Sequence, residues 1–322
     1  MQAVAASPAP AVGDGVDAGV DLAKLTASVS LALRRERAAR EAAEESAAVT
    51  EPGVADQQDG SGLVSTDLAS VRDNLIRQEE SIIFSLIERA QVRRNRAIYE
   101  PGGLPVPGFD EGSGRRHSLL EFVLRQTEQL YGRVRRYTAP DEHAFYPEAL
   151  PPLVLPPLRY PKSLHEPASA FDINDVVFDM YVHKLLPGIA RDGDDCNYGM
   201  AALFDVACLQ ALSKRVHYGM FVAEAKFTAA PEKYSELIRA KDADGLMELL
   251  TDVSVEEQVV ERVTRKAAAY GVSPGEDGEQ KKLDPAEVAA LYKEWVMPLT
   301  KEVQVVYLLH RLDGAKKDGG AV

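Results

Sequence analysis

From Leu68 onward, apolar side chains recur at spacings of three, four and seven residues: Val71, Leu75, Ile82, Leu86 and Ala90. This is the stripe of a long amphipathic helix. Thr66 or Asp67 is placed to cap its start, and the Pro- and Gly-rich stretch from Pro101 to Gly114 ends it. A second helical pattern covers Leu119 to Tyr137. Pro140 to Pro167 holds eight prolines, which excludes regular helix or a central strand. Because Phe145, Tyr146, Leu153, Leu155 and Tyr160 need burial there, an ordered, extended connector is expected. Helical periodicity returns over Ile173–Ala190. After a polar turn comes a long helix from Met200 to Phe227, carrying Leu203, Val206, Leu209, Leu212, Val216 and Ala223. Further helices are expected at Glu232–Ala240, Ala243–Leu250, Val255–Tyr270 and Pro285–Leu312. The last opens on Asp284-Pro285, a good helix start, and should kink at Pro298. No alternating strand pattern or internal repeat stands out. The expected fold class is all-α, a single large helical domain over residues 63–313.

Residues 1–62 read differently. They contain no Phe, Tyr or Trp, so they have little to bury, and a disordered leader is expected. Its opening residues lack acids and Arg34, Arg35, Arg37 and Arg40 follow, which resembles a transit peptide. Asp14, Asp17 and Asp21 argue against a pure one. The expected compartment is the chloroplast stroma, with the cytosol as the alternative. Residues 314–322 read as a flexible tail. Over the whole chain 45% of residues are hydrophobic and 27% charged, which excludes wholesale disorder. The net charge of −13, with no long basic run, argues against a nucleic-acid partner. No apolar run approaches the roughly 20 residues of a membrane-spanning helix, so no membrane partner is expected.

Familiar reactive motifs are missing. Cys196 and Cys208 form no CxxC, and the six histidines show no close metal spacing. Asp192-Gly193-Asp194-Asp195 fails as a calcium loop because Asn197 stands where glycine is needed; a solvated turn is the simpler reading. There is no Gly-rich phosphate loop and no nucleophile elbow. What remains is cations within apolar helices. Arg215 and Lys226 lie eleven residues apart on one expected helix, close to three whole turns at about 100° per residue, so both address one face. Thr300 and Gln304 form an i, i+4 pair. Glu256 opens a helix, and Arg72 sits beside Val71. Taken singly, each is better explained as a surface charge or ion pair, and periodicity does not assemble them.

Longer segments do. Val71 to Phe84 (VRDNLIRQEESIIF), Cys208 to Gly219 (CLQALSKRVHYG), Phe221 to Phe227 (FVAEAKF), Pro298 to Gln304 (PLTKEVQ) and Tyr307-Leu308-Leu309 closely resemble the eukaryotic-type chorismate mutases, with the overall look of the plant and algal branch. The likeness runs from about Thr66 to Asp313. It implies long helices packed around a buried active site, a homodimer, and an isomerase of the shikimate pathway that converts chorismate to prephenate by an intramolecular Claisen rearrangement without metal or cofactor. That chemistry needs no nucleophile. It needs a chair-like conformer to be held and its shifting charge to be stabilised.

Carried over residue by residue, the resemblance implies that Arg72 and Arg215 grip the two carboxylates of the dianion, as guanidinium forks can. Lys226 and the Gln304 amide donate to the ether oxygen as its bond lengthens, Glu256 accepts from the ring hydroxyl, and Thr300 orients the substrate or its neighbours. Fungal relatives carry Glu where Gln304 stands. An amide donates at every pH, so a rate nearly flat from mildly acidic to neutral pH is expected. Asp252 replaces a fungal Asn and is expected to turn away from the site. The resemblance also implies binding of aromatic amino-acid effectors at a subunit interface, through Arg135, Arg136, Asn197 and the Gly199 backbone. Met200 and Leu203 replace hydroxyl residues there, which weakens the case for tyrosine inhibition and implies an altered response. The competing reading is a catalytically silent helical dimer that senses aromatic amino acids.

Overall fold

The computed structural model describes residues 67–106, 109, 114–169, 171–275 and 278–313. The expected leader and tail lie outside them. The helices are α1 (Leu68–Ala90), α2 (Leu119–Arg133), α3 (Glu166–Ser169), α4 (Asn174–Met180), α5 (Leu186–Ile189), α6 (Tyr198–His217), α7 (Gly219–Ala229), α8 (Pro231–Ala240), α9 (Ala243–Leu250), α10 (Val253–Tyr270), α11 (Pro285–Leu291) and α12 (Met297–His310). A two-stranded antiparallel hairpin, β1 (Val272–Gly275) with β2 (Gly278–Lys281), is the one strand pairing among the described residues and was not expected from the pattern. The domain is otherwise helical, as expected. No described helix is long and apolar enough to cross a membrane.

Local chemistry sets the helix ends. Asp67 caps α1 by accepting from the backbone N–H groups of Ala69 and Ser70 at 3.0 and 3.1 Å. Ser118 and Glu121 form a reciprocal capping box at the start of α2. That helix stops at Arg133, short of the expected Tyr137. The connector supplies the reason: the Val154 N–H bonds to the Arg133 carbonyl at 2.9 Å, and Arg135 turns left-handed at φ 76°. A short 3-10 turn over Arg136–Thr138 follows. The expected kink near Pro298 takes the form of a π-helical turn over Tyr292–Val296, and the same arrangement precedes Pro187, with a π turn over Tyr181–Leu185. Each proline lacks an N–H and crowds the carbonyl one turn back, and the wider turn relieves both problems.

α12 lies at the centre. It packs against α3, α6, α7, α8 and α9, and Leu299, Val303, Tyr307 and Leu308 are wholly buried. A helix enclosed on most sides has little solvent-facing polar surface, and its Thr300 and Tyr307 hydroxyls find partners in the interior. α1 lies along α6. The two are joined by a buried ion pair in which Arg89 Nε donates to Asp205 Oδ1 at 2.5 Å, while the Tyr181 and Tyr99 hydroxyls donate to the same carboxylate at 2.6 and 2.7 Å.

Candidate active site

The long helix expected over Met200–Phe227 is broken at Tyr218, so Arg215 lies in the last turn of α6 and Lys226 on α7. The break lets α12 come close: a Cβ on Gly219 would meet the Thr300 carbonyl oxygen at 2.7 Å. Only glycine allows the approach, which brings Thr300 to Arg215. Arg215 Nη1 donates to Thr300 Oγ1 at 3.1 Å, and Thr300 Oγ1 donates to the Val296 carbonyl at 2.5 Å. One turn on, Gln304 Nε2 donates to the Thr300 carbonyl at 3.2 Å. All three side chains are buried, yet Arg215 Nε and Gln304 Oε1 have no hydrogen-bond partner. Burial pulls the Arg215 pKa below its ordinary value, against the opposing influence of Tyr292 and Glu79. A guanidinium held in the interior with donors unspent is costly unless an anion joins it.

A second cluster surrounds Lys226. Its Nζ donates to the Leu250 carbonyl at 3.1 Å. Burial lowers its pKa most strongly, Asp252 and Glu256 work in the opposite sense, and Arg72 and Lys301 add to the lowering. Three of the expected residues therefore act on one another electrostatically here: Arg72 from α1, Lys226 from α7 and Glu256 from α10, with Lys301 of α12 beside them. Glu256 Oε1 pairs with Lys301 Nζ at 2.9 Å. Asp252 does turn back to its own helix, accepting from the Val255 N–H at 3.2 Å. Its charge nevertheless remains among those acting on Lys226.

Sequence reasoning missed a layer behind these residues. Glu79, 1% exposed, holds Arg262 in a two-pronged pair at 2.6 and 2.9 Å and also meets Lys266 at 3.3 Å. The available signal was a carboxylate four residues after Leu75 and three before Ile82, on the buried stripe of α1. Lys301 carried no signal beyond standing next to Thr300.

The expected effector residues form two separate groups. Arg136 Nε donates to Glu142 Oε2 at 3.0 Å and its Nη1 to Gln210 Oε1 at 2.8 Å, with Tyr131 under the guanidinium. Arg135 Nη1 donates to the Pro156 carbonyl at 2.8 Å. Asn197 and Gly199 are exposed at the start of α6. Gln210 lies eleven residues beyond Gly199, about 16 Å along the helix, so one chain does not bring the two groups together.

Fold and site together define a helical domain with a buried arginine and amide on α6 and α12 and a half-buried lysine on α7. Residues 200–305 match the family described as chorismate mutase type II. The chain is 50% identical over 255 residues to the chloroplastic chorismate mutase 1 of Petunia hybrida, covering 77% of each protein, and 41% identical over 251 residues to the chorismate mutase of Saccharomyces cerevisiae, covering 77% of this chain and 96% of that one. The chloroplast chorismate mutase from Zea mays superposes with a TM-score of 0.72 at 47% identity, over 80% of this chain and 99% of that chain. AtCM1 with tyrosine bound in its allosteric site gives 0.70 at 47% identity, over 77% and 97% of the two chains. The chain belongs to the chorismate mutase family.

Proposed function

We propose that the chain converts chorismate to prephenate at the cluster formed by Arg72, Arg215, Lys226, Glu256, Thr300 and Gln304. The observation that carries this reading is the buried Arg215, whose Nε has no partner while its Nη1 rests on Thr300. A carboxylate is the ligand that completes such a fork. Arg72, exposed at the start of α1, is free to take the second carboxylate of a dianion. Held at both ends, the enolpyruvyl arm lies over the ring and the bonds reorganise within one molecule. As the ether C–O bond lengthens, negative charge grows on its oxygen. Lys226 Nζ and the Gln304 amide donate to that oxygen, and in a water-poor site each such donor contributes about 2.7–4 kcal/mol in the transition state. For Gln304 this requires the amide nitrogen to exchange the Thr300 carbonyl for substrate. Glu256, kept oriented by Lys301, accepts from the ring hydroxyl. The test is to follow chorismate disappearance with the purified protein beside Arg215→Ala. An inactive wild type would instead favour the silent, effector-sensing reading.

The same reading includes a homodimer. Leu130, Tyr131 and Val134 around the end of α2, with Met200 and Leu203 on α6, are large apolar side chains left exposed, and a second copy is the occupant that would unite Arg136 of one subunit with Asn197 and Gly199 of the other. An aromatic amino acid fits that junction, its carboxylate drawing Arg135 or Arg136 and its ammonium the turn before α6. Sedimentation of the protein and activity titrated with each aromatic amino acid test the two parts; a monomer, or no response to any of them, sinks this reading. The relatives named above include chloroplastic proteins. The arginines of residues 1–62 favour the plastid, and a fluorescent fusion of that segment tests it.

A further inference from the structure

The proposed site draws residues from α7 and α12, and the same two helices are joined to each other one to two turns beyond it. On α12 and its C-cap, Thr300, Gln304, Tyr307 and Arg311 fall at i, i+4, i+7 and i+11, one continuous stripe. The first two residues belong to the proposed site. The last two reach across to Glu224 of α7. Arg311 Nε and Nη2 donate to the two Glu224 oxygens at 2.6 and 2.9 Å, and the Tyr307 hydroxyl donates to Glu224 Oε2 at 2.5 Å. Tyr307 is wholly buried, and its oxygen also accepts from the His165 N–H at 2.9 Å. Arg311 lies over the Phe227 ring, 4.7 Å from its centroid.

Glu224 and Lys226 are two residues apart on α7, about 200° around the helix. A helix gripped at Glu224 therefore has its rotation fixed, and Lys226 is turned to the opposite side, where Leu250, Asp252 and Glu256 stand. We infer that Glu224, clamped by Arg311 and Tyr307, is a positioning residue that sets the rotation of Lys226 toward Leu250 and Glu256. This rests on the site reading above. The clamp contributes to rate rather than to substrate capture, because Arg72 and Arg215, which grip the carboxylates, are anchored on α1 and α6.

The test is a double-mutant cycle on kcat and KM for chorismate. Glu224→Ala should lower kcat at least ten-fold with KM within about two-fold of wild type. Glu224→Gln, whose single amide oxygen can take the place of Oε2 and still accept from the Tyr307 hydroxyl and Arg311 Nε while only the Nη2 bond is lost, should recover part of the loss. Tyr307→Phe, which removes one hydroxyl from an otherwise intact core, gives a milder loss of the same kind and serves if Glu224→Ala does not fold. In a Lys226→Ala background, Glu224→Ala or Tyr307→Phe should lower kcat by less than two-fold, since the group they position is gone. Equal losses in both backgrounds, or a fall in melting temperature with kcat per folded molecule unchanged, overturns the inference. Wild-type turnover in Lys226→Ala alone would overturn the site assignment itself.

Discussion

Two arginines on neighbouring parts of the molecule are treated in opposite ways. Arg215 is buried, touches one hydroxyl and keeps a donor without a partner. Arg136 is half-buried and already holds Glu142 and Gln210, with an aromatic ring beneath it. The first is an under-satisfied cation built into a rigid interior, ready for an anion. The second is a satisfied cation in which an incoming carboxylate must displace one already present. On the proposed reading, the contrast suits a substrate-gripping Arg215 that binds strongly and an effector-binding Arg136 that binds reversibly at moderate affinity.

The strongest way to break the contrast is Arg215→Ala. Losing one side of a buried charged pair with a bound carboxylate costs about 2–5 kcal/mol, roughly 30- to several-thousand-fold in kcat/KM, read by chorismate disappearance. Gln304→Ala should lower kcat by roughly 10²–10³-fold. Gln304→Glu restores a donor only when protonated, so its rate should rise on acidification, while the wild-type rate stays nearly flat from mildly acidic to neutral pH. A wild-type profile as steep as that of the Glu variant would remove Gln304 from the ether oxygen.

Stability probes the helix both regions share. His217 of α6 is stacked on His143, with ring centroids 4.2 Å apart. Burial holds both imidazoles below the ordinary histidine range, His143 well below. The unfolded chain takes up these protons at about pH 6.5, so this contribution is complete above that pH and is lost as pH falls through and below it. Glu128, pushed up to about 7 by burial, together with Glu302 and Asp205, also raised by burial, acts in the opposite sense. The discriminating measurement is therefore the difference between wild type and His143→Phe in denaturant melts from pH 8 to 5. The variant should gain relative stability as pH falls, and parallel curves would contradict the assignment. The smallest effect is the most specific to the comparison. Glu142→Ala removes the internal competitor of Arg136 and should tighten effector binding about ten-fold, equivalent to roughly 1.4 kcal/mol; unchanged or weaker binding by calorimetry would count against the displacement picture.

Much of this was legible in the chain. The 3.6-residue stripes placed most helices within a few residues, Asp67 and Asp284 acted as caps where expected, and the prolines marked the connector and the distorted turns. These signals are local, because propensity, capping and periodicity act within a turn or two of chain. The hairpin after Tyr270 and the early end of α2 escaped, the second because its cause, Val154, lies twenty-one residues beyond Arg133.

By itself the sequence determined most of the helices, their buried faces and, through long family-like segments, the family and the cations and amides proposed for the site. Tertiary structure alone decided how those groups meet. Glu79 and Arg262 pair across 183 residues of chain, and Arg215 and Thr300 across 85. It also decided that Gly219 would admit α12, that Lys301 would hold Glu256, and that Arg136 and Asn197 would stay apart within one chain. Periodicity fixes which face of a helix is apolar, but not which helix that face meets or at what level. Those depend on how whole side chains fill the shared interior.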